Sequence, residues 1–150
     1  MRVLLFAFFC LLHLPAYAGL FSNSESGNQT TSANNNANFL PIEQAFIVQA
    51  TENPDNTVSI RFSNADGYYL YRHRLSFSTA TLGVDLGTAQ LPDGQARTDP
   101  FFGDVEAYYG TVEVTLPIDN PNNLPYTLDV GYQGCADLGL CYPPEIHSFK

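Results

Sequence analysis

Two cysteines six positions apart, Cys135 and Cys141, are the residues of this chain with the most evident chemistry. In Cys135-Ala-Asp-Leu-Gly-Leu-Cys141 they can form a disulfide, which serves either as a structural staple or as a reactive pair exchanged with other thiols. Loop size bears on that choice. On a chain-entropy account, closing a seven-residue loop stabilises a fold by about 2.4 kcal/mol, against about 4.7 kcal/mol for a hundred-residue loop. A staple for two sheets would link distant strands, whereas a bond that constrains only a local loop is the kind expected where reactivity is the use. Gly134 and Gly139 permit the backbone conformations a tight loop needs. Pro143 and Pro144 stiffen its exit and remove two N–H donors. Asp137, inside the loop, would disfavour a thiolate if close to one. No Lys, Arg or His lies within five residues of either cysteine, so the spacing predicts no activated thiolate. His147 adds a third possible ligand, but Cys-x5-Cys-x5-His matches no usual zinc spacing, and neither a metal nor a cofactor is expected.

Two aromatic clusters come next: Tyr68-Tyr69-Leu70-Tyr71, and Phe101-Phe102 with Tyr108-Tyr109. Core and cross-strand packing accounts for most such residues. Phe101 and Phe102 would face opposite ways if extended, which leaves at least one for the surface or a site. Arg72-His73-Arg74 reads as a solvated strand edge. No Ser-His-Asp order, phosphate loop or spaced carboxylate pair stands out.

The elements that must position these residues follow from periodicity. Val58, Ile60 and Phe62 alternate with polar neighbours, as do Val112, Val114 and Leu116, and then Tyr126, Leu128, Val130 and Tyr132. Each is a half-buried strand. Turn residues separate them at Asn53–Asn56, Asn64–Gly67, Leu91–Gly94 and Asp119–Asn123. No sustained helical stripe occurs, and Ile42 to Phe46 has room for one turn. The pattern predicts an all-β, two-sheet antiparallel sandwich of about 110 residues.

Ahead of it, residues 1–18 carry Arg2, an apolar run from Val3 to Leu14 and an Ala-x-Ala site before Gly19, the pattern of a cleaved export signal. Twelve apolar residues rise about 18 Å as a helix, short of the roughly 30 Å of a bilayer core. Cleavage would remove Cys10 and leave two cysteines in a disulfide-permissive compartment. Residues 19–38, polar and small from Ser22 onward, read as a flexible low-complexity tether, and order is expected over 39–150. The formal charge of −9, with 15 acidic against 6 basic residues, argues against nucleic-acid partners and against anionic lipid surfaces.

The stretch from Val130 to Glu145, with its Gln-Gly-Cys-Ala-Asp and Cys-Tyr-Pro-Pro runs, resembles the active-site segment of the N-terminal periplasmic domain of the DsbD family of thiol:disulfide interchange proteins. Asp66-Gly-Tyr-Tyr-Leu-Tyr-Arg72 resembles the family's tyrosine-bearing strand, Asp99-Pro-Phe-Phe-Gly103 its cap loop, and Phe39-Leu-Pro with Gln44-Ala-Phe46 its first ordered segment. The resemblance implies an immunoglobulin-like sandwich in which Cys135 and Cys141 are the redox pair, Cys141 entering mixed disulfides and Cys135 resolving them. It implies Phe101, beside Phe102 and Asp99, as a cap over the pair, with Tyr69 and Tyr71 packed alongside. Where the family pattern has an acid before the cap phenylalanine, this chain has Pro100.

The implied role is one domain of a larger membrane enzyme, a periplasmic protein-disulfide reductase at the inner membrane. The implied electron donor is a thioredoxin-like domain of the same protein. The implied acceptors are DsbC, DsbG and the cytochrome c maturation thioredoxin. The transmembrane and thioredoxin-like domains are not within these 150 residues, where no second apolar run reaches eighteen. The reading from a different functional class is an exported immunoglobulin-like binding module with an inert disulfide.

Overall fold

The computed structural model describes residues 39–150. The expected export signal and tether lie outside the described residues. A single helical turn, α1 (Ile42–Ala45), leads into the first hairpin, β1 (Phe46–Asn53) and β2 (Thr57–Asn64). Asn56, at φ 61°, takes the left-handed conformation that a tight reversal between them requires. β2 pairs on its other side with β8 (Thr111–Asp119), whose far edge carries the short β5 (Asp85–Leu86). Alternation holds in both long strands: Val58, Ile60 and Phe62, and Val112, Val114, Leu116 and Ile118, are buried.

The facing layer is interrupted. β3 (Tyr68–Tyr71) pairs with β10 (Gly134–Ala136), and β4 (Ser76–Ser78) pairs with β9 (Leu128–Tyr132). Between the two ladders one side has the four residues Arg72–Leu75 and the other has Gln133 alone. The surplus is taken up by a 3-10 turn at Arg72–Arg74, and the Tyr71 N–H to Gln133 carbonyl bond (3.0 Å) bridges the break. The layer therefore divides into β10-β3-β7-β6, with β6 (Gln95–Asp99) and β7 (Gly103–Tyr109), and β11-β9-β4, with β11 (Glu145–Phe149). The expected two sheets become three, and Arg72-His73-Arg74 is a turn rather than a strand edge. The strand expected from Tyr126 starts at Leu128, because its partners end there: Leu128 pairs with Phe149, and Asp129 with Ser78.

One core joins all three sheets. Phe46 meets Tyr68 and Tyr132 edge-on, and Phe62 meets Tyr132 at 6.0 Å between ring centroids. The sheet β10-β3-β7-β6 has a second packed face. Strand alternation sends Tyr68, Leu70, Tyr108 and Ala136 into the main core, and Tyr69, Tyr71, Ala107 and Cys135 into a smaller cluster of their own. Backbone crowding fixes how β10 lies on β3. A methyl at Gly134 would stand 2.4 Å from the Tyr69 carbonyl oxygen and 2.6 Å from the Phe46 ring. Gly134→Ala is accordingly expected to cost about 1–3 kcal/mol through overpacking, read as a lower urea midpoint under oxidising conditions with an unchanged slope.

Candidate redox site

Cys135 on β10 lies opposite Tyr69 of β3, and Cys141 lies across from it on the returning limb of a short hairpin. Two backbone bonds flank the pair: Ala136 N–H to Leu140 carbonyl (2.7 Å) and Tyr142 N–H to Gly134 carbonyl (3.0 Å). The cysteines thus occupy a non-hydrogen-bonded antiparallel position, where side chains approach most closely. They are joined as a disulfide with a Cα–Cα distance of 4.0 Å. Gly139, at φ 99°, makes the reversal, and the Asp137 N–H anchors the hairpin to the Gly67 carbonyl at 2.8 Å. The two sulfurs are not equivalent. Cys135 is 0% exposed, whereas Cys141 is half-buried.

Tyr71 brings the pair under control of the β6–β7 turn. Its hydroxyl donates to Asp99 Oδ2 at 2.5 Å, and its oxygen lies 3.1 Å from Cys135 Sγ and 3.9 Å from Cys141 Sγ. Asp99 is 3% exposed. A buried carboxylate needs donors, and it has four: Tyr71 and Tyr69 (3.4 Å) on Oδ2, and the N–H groups of Phe101 (2.8 Å) and Phe102 (3.1 Å) on Oδ1. Burial pushes the Asp99 carboxyl up, but these hydrogen bonds outweigh it and hold the group below its ordinary value. Burial first, then the bond to Asp99 and the contact with Tyr69, push the Tyr71 phenol up.

Pro100 has a local reason as well. Asp followed by Pro is the residue pair that opens a type I turn, and Gly103, at φ 71°, closes the three-residue loop before β7. On that turn Phe102 packs edge-on against Tyr71 (5.1 Å) and His73 (5.2 Å), with the Arg74 guanidinium 4.6 Å over its ring. Phe101, at the tip, is 73% exposed. Tyr69 and Tyr71 meet edge-on at 5.4 Å beside Cys135.

Spacing gave no sign of a second network. Arg97 on β6 donates to the hydroxyl of Tyr109 and, at 2.7 Å, to Asp137 in the disulfide loop. Its guanidinium covers the Tyr69 ring at 4.1 Å, and the Tyr109 hydroxyl donates to the same Asp137 oxygen at 2.9 Å. The Asp137 charge is therefore matched by an arginine forty residues away in sequence. His147 stacks on Phe149 at 4.6 Å. No cluster of metal-ligating side chains occurs among the described residues, and no helix among them is long and apolar enough to cross a membrane.

Residues 36–150 match the family described as "Thiol:disulfide interchange protein DsbD, N-terminal". The chain belongs to this family. Among curated relatives it is 47% identical over 149 residues to thiol:disulfide interchange protein DsbD 1 of Pseudomonas aeruginosa, covering 99% of this chain and 25% of that one. It is 39% identical over 137 residues to DsbD of Vibrio vulnificus, covering 90% of this chain and 21% of the relative. The chain thus spans about a quarter of the length of these relatives. Among solved structures it is similar to the Neisseria meningitidis DsbD N-terminal domain in the reduced form (TM-score 0.70, 36% identity, 77% of this chain and 90% of that one). It is also similar to the complex between the DsbD N-terminal and PilB N-terminal domains of that organism (TM-score 0.65, 35% identity, 75% and 86%). The immunoglobulin-like sandwich expected for the DsbD N-terminal domain is the fold observed.

The depressed Asp99 carboxyl ties stability to pH. In the unfolded chain the group protonates near its ordinary value, about 4, and in the folded domain only at lower pH. Its stabilisation is therefore complete above about pH 4 and is lost as pH falls through the folded value. Asp99→Asn is expected to lower stability at neutral pH and to flatten the fall in stability on acidification, as measured by urea unfolding at a series of pH values.

Proposed function

We propose that this chain is a thiol–disulfide exchange domain that passes two electrons from a thioredoxin-like donor to disulfides of periplasmic proteins. One observation carries the reading: the disulfide closes its own hairpin, where it contributes little to holding the sheets together, and presents one half-buried sulfur beside a fully buried one. In the reduced domain the Cys141 thiolate attacks a sulfur of the acceptor disulfide, forming the mixed disulfide and releasing one acceptor thiolate. The Cys135 thiolate then attacks Cys141 Sγ, which restores the Cys135–Cys141 bond and expels the second acceptor thiolate. The acceptor gains two electrons and the domain loses two. The more accessible Cys141 suits the first attack and the buried Cys135 the second. Reduction of the domain by its donor is the same sequence reversed. No cofactor or metal is required.

The donor is proposed to be a thioredoxin-like domain of the same, longer protein, and the acceptors DsbC, DsbG and the cytochrome c maturation thioredoxin. Support comes from the relatives' name, thiol:disulfide interchange protein, and from the solved complex of a related domain with a PilB N-terminal domain. Residues 1–18 are proposed to direct export, which sets the domain at the periplasmic face of the inner membrane with residues 19–38 as its tether.

Two expectations test this. With Cys10→Ser and Cys135→Ala, the remaining Cys141 should trap a mixed disulfide with an oxidised thioredoxin-like domain, visible as a reducible adduct on a non-reducing gel. No adduct, where a known exchange protein forms one, would leave an inert staple as the reading. The Asp99–Gly103 turn is proposed to cap the pair through Phe101, so Phe101→Ala should accelerate reduction of the disulfide by glutathione. An unchanged rate would remove Phe101 from that role.

A further inference from the structure

Asp137 is the only polar side chain between the two cysteines, and its carboxylate accepts from Arg97 and Tyr109. Arg97 starts from β6 at one edge of the β10-β3-β7-β6 sheet, and its partner follows directly after β10 at the other edge. On the way the guanidinium covers the ring of Tyr69 on β3 and donates to the hydroxyl of Tyr109 on β7. One side chain therefore ties all four strands to the redox hairpin. The remaining ties within that loop are backbone bonds: Ala136 to Leu140, Gly139 to Ala136, and Asp137 to Gly67. Leu138, at the tip, is 77% exposed and anchors nothing.

These contacts matter unequally in the two redox states. While the disulfide exists, the covalent bond already holds the hairpin closed. Once it is reduced, the hairpin's backbone bonds, Tyr142 to Gly134 among them, and the tie from Asp137 to Arg97 and Tyr109 oppose opening of a loop with a left-handed glycine at its bend. We propose that Arg97 is a positioning residue: through Asp137 it keeps the reduced hairpin closed, so that Cys135 stays within reach of Cys141 and resolves its mixed disulfide rapidly. The inference rests on the exchange reading above. It concerns the second step, in which the Cys135 thiolate attacks Cys141 Sγ and the partner thiolate departs. The effect is a raised effective concentration of one thiol at the other.

The size of the effect is bounded by exposure. The Arg97 and Asp137 side chains are 29% and 42% accessible, so the pair is a partly screened one, in the range of about 0.2–1 kcal/mol, up to roughly fivefold in rate. The reduced 150-residue chain with Cys10→Ser, mixed with an equimolar chromogenic aromatic disulfide, releases one aromatic thiolate when Cys141 attacks and a second when Cys135 resolves the adduct. Stopped-flow absorbance separates the two. Arg97→Gln and Asp137→Asn should each slow the second release about two- to fivefold and leave the first unchanged. The double variant should be no slower than the slower single, because both remove the same contact. Arg97→Lys, which keeps the charge, should recover most of the rate. An unchanged second phase, equal slowing of both phases, or full additivity in the double variant would each overturn the assignment. Failure of the exchange reading looks different: no Cys141 adduct with a thioredoxin-like domain in any variant, whatever the chromogenic reagent shows.

Discussion

The buried carboxylate of Asp99 is the group on which the arrangement of the site depends. A charge 3% exposed cannot stand without donors, and the four it has come from two different segments of chain. Two are tyrosine hydroxyls from β3, and two are backbone N–H groups of the turn that follows Asp99 itself. Satisfying that one charge docks the β6–β7 turn onto β3 and points the Tyr71 hydroxyl at the carboxylate. The Tyr71 oxygen is thereby left against Cys135 Sγ and within 3.9 Å of Cys141 Sγ. Turn and strand are thus one hydrogen-bonded unit against which the disulfide packs, and moving either exposes the cost of an unpaired charge.

The sandwich makes this unit possible by giving β3 two buried faces. Four consecutive buried residues, Tyr68 to Tyr71, would be anomalous in a strand at the surface of a single core. Here Tyr68 and Leu70 complete the main core, while Tyr69 and Tyr71 line the redox cluster on the opposite side. The break between the ladders of β3 and β4 serves the same end. The 3-10 turn at Arg72–Arg74 turns His73 and Arg74 onto Phe102, so the residues packed on the β6–β7 turn come from the irregularity rather than from a regular strand.

The disulfide itself is an element of local structure. A non-hydrogen-bonded antiparallel pair brings two side chains close enough to bridge. The bond therefore holds its own hairpin and adds little to the rest of the sandwich. Its two sulfurs differ in burial because Cys135 lies within β10 on the packed face, whereas Cys141 lies on the limb that returns beyond the hairpin.

Much of this was legible along the chain, and the boundary has a physical reason. Strand alternation in Val58–Phe62 and Val112–Leu116, the turns at Asn53–Asn56 and Asn64–Gly67, and the small loop between the cysteines are local properties, set by a period of two and by residues that tolerate a reversal. The family, too, could be recognised from short contiguous runs. What neighbours in sequence cannot decide is which distant groups satisfy one another. Asp99 reads in the sequence as a lone acid beside a proline, and only the docking of the β6–β7 turn onto β3 makes it the acceptor for Tyr71, 28 residues away. Asp137 reads as an uncompensated charge near two cysteines, and only the four-strand sheet brings Arg97 to it across 40 residues. The chain by itself determined the strands, the turns and the pair of sulfurs. The tertiary structure decided which charges those sulfurs live beside, because an ionised group takes its donors from whatever the fold places within hydrogen-bonding distance, however far away in sequence.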